Sequence, residues 1–90
     1  MKTPKIKEPK PIGEVTHFYG GLKVAIVKFN KAMKIGIKVH FRGATTDFIE
    51  IIKSMQFDHQ DIKSAKKGQE VGIKVKEMAR AGDKVFAVAE

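Results

Sequence analysis

Ninety residues with a net charge of +8 and no cysteine make one small domain, whose core must hold by packing alone, without disulfides or thiolate metal sites. No apolar run reaches the roughly 18 to 20 residues that span a bilayer, and the opening MKTPKIKEPKPIG lacks the apolar segment of a signal peptide. Membrane insertion and secretion are therefore not expected, and a cytoplasmic location is.

The positive charge is almost all lysine, Arg42 and Arg80 being the arginines. Such an excess attracts nucleic acid or acidic surfaces. Lysine is a point charge without the planar fork that reads guanine, so backbone contact is expected rather than base readout. A lysine-rich solvated surface of the kind found in heat-adapted proteins explains the same composition.

In chain order, residues 1–11 read as a flexible basic tail: Pro4, Pro9 and Pro11 all lie here with four lysines, and proline removes backbone donors and favours extended geometry. From Ile12 to Glu90 the chain reads as a single β domain. IGEVTHFY, then Gly20-Gly21, then LKVAIVKF predicts a β-hairpin. KIGIKVHFRG alternates strictly: Ile35, Ile37, Val39 and Phe41 define a dry face, while Lys38, His40 and Arg42 define a wet, basic one.

TTDFIEIIKSMQFDH is ambiguous. Asp47 with Glu50 resembles a capping box, and Phe48, Ile51, Ile52 and Met55 recur at helical spacing. The β-favouring Thr, Phe and Ile argue instead for a strand, with Ile49, Ile51, Met55 and Phe57 on one face and a bulge near Ile51 to Lys53. At most one helical turn is expected, near Asp61 to Ala65. Val71, Ile73 and Val75 alternate with Lys74 and Lys76, and KVFAVA supplies a last strand. Six short strands separated by turns point to an all-β fold, a small closed antiparallel barrel without exposed edges.

Chemistry-bearing motifs are sparse. KKGQEVGIKV brings Gly68 and Gly72 close to lysines, but the spacing is not that of a phosphate-binding loop, no hydroxyl follows Lys74, and a strand follows rather than a helix. The reading preferred is a turn at Gly68 and a close backbone approach at Gly72. His17, His40 and His59 lack metal-ligand spacing, and Asp58 and Asp61 around His59 fit a turn as well as a site. No catalytic residue, metal or cofactor is expected.

The segments IGEVTHF, MKIGIKVHFRG, TTDFIEIIKSMQF, AKKGQEVGIKV and RAGDKVF together resemble the second domain of the translational GTPases, the elongation factor Tu group. Gly36, Gly43, Gly68, Val71, Gly72, Arg80, Gly82 and Val85 carry the resemblance, which runs from Ile12 to Val88. It implies a closed six-stranded Greek-key barrel, standing alone as a translation elongation factor-like protein without GTP. The family's pocket for a terminal adenosine would fall near Gln56, His59 and Glu70, whose identities do not match, so that pocket is not carried over.

Two functions follow as expectations. The first is a non-catalytic RNA- or ribosome-associated module that touches tRNA or ribosomal RNA phosphates through Lys38, His40, Arg42, Lys74 and Lys76. The alternative is a protein-interaction or adaptor barrel working with a separate enzyme chain, the basic surface then serving solubility.

Overall fold

The structure, a computed structural model, describes residues 11–88, so the expected tail lies outside the described residues except for Pro11. Ten strands are formed among them: β1 (Gly13–Tyr19), β2 (Val24–Phe29), β3 (Met33–Lys34), β4 (Lys38–Arg42), β5 (Asp47–Ile51), β6 (Met55–Phe57), β7 (Gln60–Ile62), β8 (Ser64–Ala65), β9 (Glu70–Lys74) and β10 (Lys84–Ala87). The all-β expectation is met. No described helix is long and apolar enough to cross a membrane.

Eight strands form one antiparallel sheet in the order β5-β4-β10-β1-β2-β9-β6-β7, and β3 pairs with β8 in a separate two-stranded ribbon. The expected closed six-stranded barrel is corrected here. The sheet curves into a half-barrel whose ends, β5 and β7, are not paired to each other. Closure requires every strand to be long enough to stagger around a common axis, and β6 and β7 have only three residues each.

Hydrophobic alternation builds the inner face. Val15, Ala25, Val27, Phe29, Val39, Phe41, Ile73 and Val85 are fully buried, each large one contributing about 1.5–3 kcal/mol by leaving water. Phe41 stacks on Phe48 across the β4–β5 pair, with ring centroids 4.9 Å apart and planes 9° from parallel. The register shifts between Val15 and His17, a bulge that lets β1 bend around this core.

Two local expectations change. Phe48, Glu50, Ile52 and Met55 are buried, whereas Ile49, Ile51 and Phe57 are 47%, 44% and 41% exposed, so of the face assigned to TTDFIEIIKSMQFDH only Met55 turns inward. Pairing of Phe48 with Phe41 sets this register, and the chain leaves strand geometry between Ile51 and Met55, where a bulge was expected. The stretch near Asp61 to Ala65, where at most one helical turn was expected, lies in β7 and β8 and the residue between them. Asp58 and His59 sit between β6 and β7 with φ of 55° and 64°, a mirror-type two-residue hairpin turn. That accounts for the DHQD cluster as turn chemistry.

A candidate interaction surface

The outer face of the sheet carries charge in a row. Cross-strand partners run Asp47–Arg42, Arg42–Lys84, Lys84–Glu14, Glu14–Lys28 and Lys28–Glu70, one residue from each of six strands. All six side chains are exposed. Lys84 Nζ lies 3.4 Å from Glu14 Oε1, and the His40 ring nitrogen Nε2 lies 2.5 Å from Asp47 Oδ1. The hydrogen bond with His40 is the largest influence and holds the Asp47 carboxyl below its ordinary range; desolvation opposes it, and the charges of His40 and Arg42 add smaller attractions.

The side chains expected to meet RNA come from β4, from β9 and from the segment just beyond β9. Lys38, His40 and Arg42 share the outer face of β4, where His40 is half-buried against Asp47. Lys74 ends β9, four strands away along the curved sheet. Lys76 lies just beyond β9, and its backbone N–H donates to Glu50 Oε1 at 3.0 Å, joining the end of β9 to the inward carboxylate of β5. Among the described residues no group of three or more metal-ligating side chains comes together.

Two concavities mark the outer face. One, of about 360 Å³, has an apolar floor from Tyr19, Leu22, Val24 and Ile26 around Gly72, with Gln56, Asp58, His59 and Glu70 at its rim. Gln56 Nε2 donates to Asp61 Oδ1 at 3.1 Å there. Gly72 sits close to its neighbour: a Cβ would come 3.2 Å from Val24 Cγ1, a tight contact to which Val24 would have to yield by a few tenths of an ångström.

The larger cleft, of about 630 Å³, lies over β1 and β2 and is lined among others by Pro11, Glu14, Lys28, Asn30, Lys67 and Lys84. Lys67 is placed there by the turn Lys66–Gln69: Gln69 N–H donates to the Lys66 carbonyl at 3.0 Å, and Gly68 has φ of 86°, the third position of a type II turn. Gly68 N–H donates to the Phe29 carbonyl at 2.8 Å, fastening the turn to the end of β2. Lys67 was visible in KKG. Lys28 and Lys84 were not, because only the strand register brings them beside Glu14.

No protein-family model matches the chain. The architecture is that of a small antiparallel half-barrel domain. It superposes on the crystal structure of the C-terminal domain of a Geobacillus thermoleovorans protein described as a U32 peptidase, with a TM-score of 0.82, 19% identity, and coverage of 94% of this chain and 100% of that one. The selenomethionine variant of the same domain gives a TM-score of 0.80 at 20% identity, covering 86% of this chain and 98% of that one.

In sequence, the chain is similar to an uncharacterized protease of Methanocaldococcus jannaschii, 40% identical over 80 residues that make up 88% of this chain and 20% of the relative. The chain thus spans about a fifth of the length of the curated relative it matches. These neighbours overturn the resemblance to the second domain of elongation factor Tu-type GTPases, and with it the translation-factor and ribosome reading. The glycines that carried the resemblance do local work that any strongly curved small sheet requires. Gly36, Gly68 and Gly82 have positive φ, Gly43 admits the Asp83 carboxylate where a Cβ would collide, and Gly72 is tightly approached by Val24.

Proposed function

We propose that this chain is a non-catalytic accessory domain that acts by contacting a peptidase-type catalytic body, as a separate chain or as part of the same one. The observation that carries the reading is the 40% identity confined to a fifth of a protease, together with a fold that recurs as a C-terminal domain of a U32 peptidase. A catalytic body then corresponds to the other four-fifths of such a relative. The polar groups of this chain with catalytic potential are engaged structurally: Asp58 and His59 form a hairpin turn, His40 holds Asp47, and His17 packs 4.6 Å from the Tyr19 ring. In this reading Lys38, His40, Arg42, Lys74 and Lys76 serve the protein contact or solubility rather than RNA.

The test is affinity purification of the tagged chain from the cells that make it, with and without nuclease, followed by identification of what is retained. A peptidase-type chain held equally in both conditions is the expected result. Recovery of ribosomal or transfer RNA with its proteins, lost after nuclease, overturns the reading. So does cleavage of casein by the purified 90-residue chain alone.

A further inference from the structure

We propose that the cleft between Lys28, Lys67 and Lys84 receives an acidic peptide segment of a partner chain; the inference rests on the reading above that the domain works through a protein contact. Three ammonium groups line the cleft against the single carboxylate of Glu14. Glu14 is already taken by Lys84 at 3.4 Å, whereas Lys28 and Lys67 have no acceptor among the described residues. Among the side chains that line the cleft there is thus an excess of two positive charges, with Pro11 and the lysine stems contributing apolar surface beside them.

The same geometry selects a carboxylate-bearing chain over a lone oxyanion or a phosphate backbone. Phosphate loops offer consecutive free backbone N–H groups. Here the Lys66, Gly68 and Gln69 amides are all spent internally, on Gln69 Oε1, the Phe29 carbonyl and the Lys66 carbonyl. What the cleft offers besides ammoniums is a neutral acceptor. Asn30 lines the cleft, its Nδ2 donating to the Pro11 carbonyl at 3.0 Å and its Oδ1 accepting no hydrogen bond among the described residues. Ammonium donors beside an amide acceptor match a peptide, which presents carboxylates and backbone N–H groups together, and a phosphodiester has no N–H on its backbone to give. The volume of about 630 Å³ lies within the range that encloses a small ligand, roughly 300–1,000 Å³, and far exceeds what one oxyanion fills.

Fluorescence anisotropy with a labelled oligoglutamate peptide at low salt tests this, using the whole chain, with the double variant Lys28→Glu/Lys67→Glu and the control Lys74→Glu on the other side of β2. Oligoglutamate is expected to bind, to weaken as salt rises, and to lose at least about tenfold in affinity in the double variant, about 1.4 kcal/mol, while Lys74→Glu stays within about twofold. Thermal melting confirms that each variant is folded. Equal loss in Lys74→Glu overturns the proposal in favour of diffuse charge. Tighter binding of oligouridine through the same two lysines, or displacement of the peptide by inorganic phosphate alone, also overturns it. Affinity purification with the double variant separates this inference from the reading it rests on. If the wild-type and variant chains both retain the peptidase partner, the cleft proposal fails and the accessory reading stands. If the wild-type chain retains none, the accessory reading fails.

Discussion

Two glycine corners of this sheet treat their polar side chains in opposite ways. At the corner joining Gly43 to Arg80–Asp83, the carboxylate closes inward while the Arg80 side chain stays exposed. Asp83 is 5% exposed, its Oδ2 accepts the Arg80 N–H at 2.7 Å, its own N–H reaches the Arg80 carbonyl at 3.0 Å, and Gly43 lies directly against its carboxylate. At the Lys66–Gln69 corner the backbone is closed; the Lys67 side chain lines the large cleft, and nothing lies within 4 Å of where a Gly68 Cβ would be. A charged group in a turn is structural when its partners belong to its own chain. Where the backbone is satisfied but the charge is not, the corner is available to another molecule.

The comparison is broken most forcefully at Gly43. A Cβ there would fall on Asp83 Oδ1, and Asp83 has no room to retreat because it is buried and hydrogen-bonded. Gly43→Ala is expected to cost about 2–4 kcal/mol from overpacking and a strained hydrogen bond. For a domain of this size that lowers Tm by about 10–20 °C. A melting curve within a few degrees of wild type would show that this corner is as open as the other. Gly68→Ala should do much less. The space is empty, and the cost is that of holding alanine at φ of 86°, about 1–2 kcal/mol. Urea midpoints of the two variants side by side should rank them in that order, and the reverse ranking would dissolve the distinction.

How much of this was legible in the sequence depends on which physical signal carried it. Period-two alternation at Val39–Phe41 and Val71–Ile73–Val75 placed the buried face correctly, because burial of one face leaves a direct trace in sequence. The same signal failed at Phe48–Met55. Ile49 and Ile51 are apolar yet exposed, and the inward position between them is a glutamate, Glu50, 6% exposed and accepting the Lys76 amide. A buried carboxylate paired with a distant backbone N–H breaks the pattern, and its partner is unknowable before the fold. The strand also begins later than alternation suggests. Ile35 is 38% exposed and Gly36 turns at φ of 95°, so β4 starts at Lys38. The cleft depended on register. Lys28, Lys67 and Lys84 are far apart in the chain, and no local rule predicts that β1 lies between β10 and β2.

Asp47 tests a third condition, a charge pair that is neither enclosed nor open to a partner, and it should give the smallest effect. Its carboxyl titrates below its ordinary value of 3.8 chiefly because the His40 ring hydrogen-bonds it, with Arg42 opposite adding to the attraction. A folded-state value below the unfolded one means the unfolded chain takes up the proton first as pH falls. The stabilisation from Asp47 is then complete above about 3.8 and disappears as pH drops through the lower folded value. Because the carboxylate is exposed and the pair is screened by water and salt, the gain is small at neutral pH. Asp47→Asn removes the titration. Wild type should exceed the variant slightly in Tm near neutrality, and the two acid limbs should converge below the folded value. A gap that persists undiminished in strong acid would mean that Asp47 contributes through packing on β5 instead of through its charge, placing it with Asp83 among the groups the fold has closed around.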